Sequence, residues 1–492
     1  ELADRLQAEA ARQQTTLQDL VNEWLAQDLW EQRNLLTQDL SAYLSEPDTV
    51  AVFQLKELIT RRATDEGAKD RSVRLYDVLR ALRVTEIDLL PAPSLLSEPK
   101  QVLPRAQEAD ILATLLTSQR PVVIHADGGV GKSTLSAHLA RAMPAGSVAI
   151  LYDCFGDGTY RQALKYRHRY RDALIQIANE LAGQQLCLPL IPSSGTDPKQ
   201  FMRAFVSRLK QAIDLLRART PQASLCIIID AADNAYMAAQ EIGEHAFIHD
   251  LINTDMPDGV RLAFTCRSHR QGHLGAPLDA IVIKLESFSK AETATHLRLS
   301  YPEATDAEAA EFAFLSSDNP RVQALAMDGT PPIGDMLRAL GPTPTTVQRA
   351  IGGLLTKAID RLRAEWGPTE ANQIDLICKG LAVLRPLVPI SILAQIAGVP
   401  ESAVRTFATE FGRPLFVKDS GLHFMDEPAE TWFNETFKPD AASLDAFLAK
   451  LKPLAATSSY VAAALPQLLL SAGRMDELIA QALSNESLPE IN

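Results

Sequence analysis

The sequence predicts an α/β chain, a parallel sheet covered by helices with further helical segments before and after it. Three observations carry this. Five short apolar runs, at 121–125, 147–152, 225–229, 261–265 and 280–285, alternate with stretches of helical periodicity. That order builds a parallel sheet with helices on both faces. A glycine-rich loop stands between the first run and the helix that follows it, and from residue 287 onward helical periodicity dominates. At 492 residues the chain exceeds one ordinary core, so three or four domains are expected.

Composition narrows the class. An apolar fraction of 46% with 22% charged residues belongs to a globular protein in water. No apolar run approaches the roughly twenty residues of a membrane span, and no basic-then-apolar leader opens the chain. The chain starts at Glu1 rather than Met, so it reads as a fragment. Its five cysteines are scattered, odd in number and without a C-x-x-C pair, as in reduced cytoplasmic proteins. A net charge of −13 argues against general nucleic-acid binding and suits protein partners.

Residues 1–90 read as a helical connector. One apolar stripe runs through Leu17, Leu20, Val21, Trp24 and Leu25, and a second through Leu75, Val78, Leu79 and Leu82. The charged stretch 61–71 reads as a solvated face, and 90–99 has the proline density of a linker.

The next segment, 91–286, carries the chemistry. Ala126-Asp-Gly-Gly-Val-Gly-Lys-Ser-Thr134 follows the first strand and opens the helix expected over 135–143, the arrangement of a Walker A phosphate loop. Backbone N–H groups of such a loop, Val130 and Thr134 included, point at phosphates, and the helix N-terminus adds positive potential. Gly128, Gly129 and Gly131 permit the turn and the close approach. Lys132 would reach the β- and γ-phosphates and the Ser133 hydroxyl would ligate Mg²⁺, implying ATP or ADP as cofactor. Ala126 stands where the usual pattern has its first glycine. A buried strand ending in acid, Leu225-Cys-Ile-Ile-Ile-Asp-Ala-Ala-Asp-Asn234, has the form of a Walker B motif. Asp230 would hold Mg²⁺ through water opposite Ser133, while Asp233 or Asn234 orients the attacking water. Cys266, His269 and His273 are spaced like half of a zinc site, but no fourth ligand stands at finger spacing.

Residues 287–365 read as a helical domain. Helices over 372–384, 390–397 and 401–411, then a hairpin of 415–418 and 423–425 turning at 419–421, make 366–440 a winged helix. Its would-be recognition helix carries Glu401, Glu410 and a single cation, Arg405, so it reads as a packing module and not as a groove reader. Residues 441–492 are helical with Gly473 as a stop, like the start of helix-pair repeats of the TPR kind.

With these motifs in place, the chain resembles the NACHT-type STAND ATPases, a branch of the ASCE and AAA+-related P-loop proteins. Asp230-Ala-Ala-Asp233 resembles their D-G-h-D element, and Val260-Arg-Leu-Ala-Phe-Thr-Cys-Arg267 their sensor strand ending in Thr-x-Arg. Ser316-Ser-Asp-Asn-Pro-Arg321 is similar to their G-x-P turn, with Asp318 at the family glycine, and Leu103-Pro-Arg105 to the arm before their first helix. The resemblance implies that Arg267 faces the γ-phosphate, that Pro320 packs on adenine and that Arg105 helps hold the base. The hairpin end Phe424-Met-Asp-Glu-Pro428 places Asp426 where related switch proteins carry a histidine on the β-phosphate.

Residues 152–158, 166–170 and 178–182 resemble the bacterial antiviral STAND proteins, the Avs group. The resemblance implies an N-terminal effector, a C-terminal repeat sensor for a phage protein, and an ATPase that self-associates, with a tetramer suggested. Within 166–170, Arg167, His168 and Arg169 are as bare chemistry either a site or a solvated helix face. Two rivals share the core: a STAND transcription regulator, which the acidic balance disfavours, and a scaffold that holds nucleotide without turnover. An AAA+ remodelling motor lacks support, since no pore-loop aromatic or second-sensor arginine stands out.

Overall fold

The computed structural model describes residues 53–54, 56–58, 75–96, 102–162, 166–192, 197–328, 330–366, 368–384, 386–411, 415–418, 420–424 and 427–483. The stripe at 17–25, the charged 61–71 stretch and Asp426 lie outside them. Two compact units divide the chain, 1–91 with 178–211, and 92–177 with 212–492.

In the first unit, helix α1 (Leu75–Ala81) follows the second apolar stripe, and a short helix α2 (Glu86–Leu89) begins at a capping box of Thr85 and Asp88. Asn179 holds this unit together: its amide donates to Leu89 O at 2.8 Å and Leu190 O at 3.0 Å. Its oxygen accepts from Leu190 N at 2.7 Å.

The second unit opens on helix α3 (Glu108–Thr117), then strand β1 (Val122–Ala126), helix α4 (Lys132–Arg141) and strand β2 (Val148–Asp153). In chain order, helices α5 (Tyr170–Gly183) and α6 (Pro198–Arg219), of which 178–183 and 198–211 belong to the first unit, precede β3 (Leu225–Asp230), α7 (Ala232–Glu241), α8 (Phe247–Ile252), β4 (Val260–Arg267) and β5 (Ile281–Lys284). All five expected strands form, parallel, in the order β2-β3-β4-β1-β5. Strand β4 is therefore inserted between β1, which leads into the glycine loop, and β3, which ends in acid. Every residue of β3, and all of β4 except Arg267, is buried, as a sheet covered on both faces requires. Ile111 and Leu115 of α3 and Leu135 and Leu139 of α4 pack on Val122, Ile124, Ile228 and Ala263 of the sheet. Each such fully buried aliphatic side chain contributes about 1.5–3 kcal/mol.

Beyond the sheet come α9 (Lys290–Ser300), α10 (Asp306–Leu315), α11 (Pro320–Ala326), α12 (Ile333–Leu340) and α13 (Val347–Trp366). Their starts are written locally: capping boxes Ser289/Glu292 and Thr305/Glu308, and Asn319 capping a helix with proline at its first position. Leu297, Phe312, Leu315, Met336 and Leu337 form the core of α9, α10 and α12, whereas Ile351, Leu355 and Ile359 of α13 pack in the core of the helices that follow.

Three more helices follow, α14 (Pro368–Val383), α15 (Ile390–Ala397) and α16 (Glu401–Phe411), with a three-stranded antiparallel sheet. Strands β6 (Val388–Pro389), β7 (Leu415–Lys418) and β8 (Gly421–Phe424) lie in the order β6-β8-β7. Two details differ from expectation. Strand β8 starts at Gly421, because Lys418 pairs with Gly421 and closes a two-residue loop in which Ser420 has φ +64°. The two-residue β6 was not anticipated, since so short a strand exists only through its pairing with β8. Helix α17 (Glu427–Thr436) returns toward the parallel sheet, and α18 (Ala441–Leu451), α19 (Ser459–Ser471) and α20 (Met475–Ala482) finish the described chain. Gly473 stops α19 with φ +70°. Among the described residues no helix is long and apolar enough to cross a membrane.

Candidate functional site

The loop between β1 and α4 has the backbone of a phosphate cradle. Gly129 (φ +78°) and Gly131 (φ +103°) take left-handed conformations that glycine alone adopts without strain, and Gly131 caps α4. Gly128 has ordinary backbone, and no protein atom lies within 4 Å of where its Cβ would stand. Lys132 opens the helix and folds its ammonium back on the loop, donating to Ala126 O at 2.9 Å and Asp127 O at 3.1 Å. Burial lowers the Lys132 pKa, against the pull of the Asp233 carboxylate.

Asp230, fully buried at the end of β3, gathers three hydroxyls. Ser133 Oγ donates at 2.6 Å, Ser136 Oγ at 2.8 Å and Thr265 Oγ1 at 2.7 Å. Ser133 and Asp230 were expected to face one another, and they do. The roles of Ser136 and Thr265 were not foreseen: Ser136 stands one turn beyond the loop, and Thr265 reaches Asp230 only because β4 pairs with β3. Ser133 and Asp230 offer the hard oxygen donors that Mg²⁺ takes, so these residues fit a magnesium-bound phosphate group.

Asp233 is buried on α7, its carboxyl raised in pKa by burial and then by the charge of Glu427. Arg270 Nη1 holds it at 3.3 Å. Arg267 ends β4 as the register partner of Ala126, at the start of the glycine loop. Its guanidinium pairs with Glu427 of α17, Nη2 to Oε2 at 2.9 Å. The neighbouring Cys266 is buried, its thiol pushed up to about 12 by that burial.

The helices after the sheet touch the loop directly. Asn319 Nδ2 donates to Gly128 O at 3.0 Å, and Arg321 N donates to Gly129 O at 3.2 Å. A Cβ on Gly129 would lie within 2.8–2.9 Å of Arg321 Cβ, Asn319 Oδ1 and Val347 Cγ2, so this contact is close-packed as well as hydrogen-bonded. Pro320 is the first residue of α11, directly after the Asn319 cap. Asp318, at the family glycine, adopts φ +53°, a left-handed position where aspartate is tolerated. Arg105 bridges the same region, donating to Val130 O at 3.0 Å and Glu286 O at 2.5 Å, with its guanidinium 4.8 Å from the Phe288 ring centre.

The solvated-face reading of 167–169 is overturned for two of its three residues, since Arg167 and His168 are buried. Arg167 donates to Asp153 O at 2.7 Å and Pro93 O at 2.6 Å, which fixes the proline-dense linker on the end of β2. His168 and Arg169 share Glu244, at 2.9 Å and 2.6–2.8 Å. The signal in the sequence was the unbroken Arg-His-Arg run, but its partners are all remote in the chain.

Comparison with known proteins agrees with this geometry. Residues 120–304 match the NACHT domain model. Strands β1 to β5 and the glycine loop all lie within the matched span, in a parallel α/β arrangement of the P-loop kind. Solved structures with local likeness include a Walker-type ATPase of Pyrococcus abyssi, 13% identical, covering 70% of this chain and 99% of its own, with TM-score 0.37. Another is a STAND protein with a tetratricopeptide repeat sensor from Pyrococcus horikoshii, 12% identical, covering 80% of this chain and 51% of its own, with TM-score 0.41. A RuvB variant from Thermotoga maritima, 13% identical, covers 69% of this chain and 96% of its own, with TM-score 0.26. No curated protein matches the sequence.

Proposed function

We propose that this chain is a nucleotide-gated switch of the STAND kind, one that binds ATP or ADP and self-associates when a protein ligand opens it. Segment 91–286 is the P-loop domain, 287–365 the helical domain, 366–440 a winged helix and 441–492 the start of TPR-like repeats. The observation that supports the reading most directly is the bonding of the Asn319–Arg321 turn to the carbonyls of Gly128 and Gly129. A loop whose N–H groups take phosphate is held from its other side by the segment that would have to move.

Magnesium, held by Ser133 and Asp230, would neutralise charge on the β- and γ-phosphates. Lys132 would leave its loop carbonyls for the phosphates, and Asp233 would orient the hydrolytic water once freed from Arg270. Arg105 and Pro320 flank the base. Opening requires ligands that bind the two states unequally: moving the ratio from 1:99 to 99:1 takes about 5.5 kcal/mol of differential affinity. The resemblance to antiviral proteins favours a phage-encoded protein as the ligand, an N-terminal effector as the output and the cytoplasm as the setting.

Lys132→Ala is expected to abolish ATP and ADP binding with the far-ultraviolet circular dichroism unchanged. A variant that binds either nucleotide with the parent affinity overturns the assignment. One observation favours a second reading, a scaffold without turnover: Asp233 and Arg267 are both engaged in ion pairs. Phosphate release measured with and without the activating ligand separates the two.

A further inference from the structure

Helix α4 is buried at Leu135, Ser136, Ala137 and Leu139. Three of these are apolar, but Ser136 has no exposed surface at all, so its hydroxyl has to find a partner inside the protein. Two oxygens are within reach. Lys132 O, four residues back, lies at 3.1 Å, the ordinary partner of a serine inside a helix. Asp230 Oδ1 lies at 2.8 Å and belongs to a carboxylate. A hydroxyl carries one proton, and the shorter, charge-assisted bond takes it.

Thr265 meets the same oxygen from strand β4. Its Oγ1 accepts from Ala231 N at 2.8 Å, so its own proton is directed to Asp230 Oδ1 at 2.7 Å. The two oxygens of Asp230 therefore have different work. Oδ1 takes two donors, one from α4 and one from β4, while Oδ2 takes Ser133 Oγ at 2.6 Å. Ser133 in turn commits its proton to Oδ2, which leaves the lone pairs of its oxygen for another partner.

We propose that Ser136 is a positioning residue for the divalent cation of this site, acting through Asp230. The inference rests on the switch reading above, which supplies the nucleotide that brings the cation. A carboxylate turns readily about its last side-chain torsion. Two hydroxyls on Oδ1, held by two different elements, stop that turn and keep Oδ2 on Ser133. Without Ser136 the carboxylate is held on one side by Thr265 alone, and the Ser133 hydroxyl loses its fixed acceptor. The cation then suffers more than the phosphates, because Lys132 is bonded to Ala126 O and Asp127 O and the loop N–H groups do not bond Asp230. Partners that orient the ligands of a metal change its affinity about 10–100-fold when removed.

The test uses the full chain stripped of nucleotide and titrated with a fluorescent ADP analogue, first in EDTA and then at a series of free Mg²⁺ concentrations. Ser136→Ala should raise the Mg²⁺ concentration that gives half of the cation-dependent gain in affinity by about tenfold, while affinity in EDTA stays within about twofold. Thr265→Val, which keeps the shape and removes the donor, should move the same midpoint in the same direction, and Thr265→Ser should restore it. That pair of variants also carries the test if Ser136→Ala fails to fold. An unmoved Mg²⁺ midpoint in Ser136→Ala overturns the assignment. An equal loss of affinity with and without Mg²⁺ overturns it too, since it would make Ser136 a support of the loop as a whole. A parent chain that binds no nucleotide under any of these conditions overturns the switch reading itself and this inference with it. Parent binding that responds to Mg²⁺, with Ser136→Ala indistinguishable from it, removes the Ser136 role alone.

Discussion

Three hydroxyls close on Asp230, and they explain how a carboxylate survives fully buried at the end of β3: charge-assisted hydrogen bonds replace the water it lost. The next residue shows what the site costs locally. Ala231 lies at φ +51° with its N–H held by Thr265 Oγ1 at 2.8 Å, a left-handed position where the resembling motif has glycine. The left-handed conformation costs a Cβ-bearing residue about 1–2 kcal/mol, while glycine adds about 0.5–1 kcal/mol of unfolded-state entropy. Ala231→Gly should therefore stabilise the P-loop domain by about 0.5–1 kcal/mol, read as a higher urea midpoint. A lower midpoint would show that the methyl group packs for more than its strain. At this scale the sequence was legible where chemistry is local: Lys132, Ser133 and Asp230 stand where motif spacing put them. Ser136 and Thr265 escaped notice because a serine or threonine near a strand end gains meaning only through the pairing that brings it to Asp230. Arg267 was read as free to face phosphate, and no spacing rule contains Glu427, 160 positions away (427 − 267).

Elements were legible to the degree that burial writes itself into sequence. Strands buried on both faces, β3 and β4 above all, leave unbroken apolar runs, and the edge strand β5 was legible because its 281–283 are apolar although every second residue is exposed. The edge strand β6, only two residues long, was too short to leave such a run. The segment 166–170 stayed open between a site and a solvated face, because the sequence does not show the carbonyls that meet Arg167. Arg167 reaches the carbonyls of Asp153 and Pro93, and Asp153 in turn accepts from Leu95 N at 3.3 Å and from Phe155 N and Gly156 N at 2.9 Å each. The linker at 92–95 is thus fastened to the end of β2. Arg167→Ala strands two carbonyls that it satisfied and opens a cavity, and should destabilise by about 2–4 kcal/mol in urea denaturation. Arg169→Ala removes a half-exposed pair with Glu244 and should cost under about 1 kcal/mol. Equal losses from the two variants would contradict the clamp.

At the scale of the whole second unit, three consecutive segments converge on one loop. The P-loop domain supplies Lys132, Ser133 and Asp230; the Asn319–Arg321 turn bonds the carbonyls of Gly128 and Gly129; and α17 sets Glu427 on Arg267 and Arg270. This convergence was not readable from composition or period, which locate elements but not the face each one meets. Its consequence is that nucleotide and domain arrangement are linked: whatever fills the loop biases the contacts around it, and those contacts bias what the loop accepts. The most direct test is to denature the purified chain and identify any released nucleotide by chromatography. Close to one adenine nucleotide per chain is expected, ADP in the arrangement described, with Lys132→Ala releasing none. A chain that releases nothing and fails to take up added ADP or ATP with Mg²⁺ would contradict it.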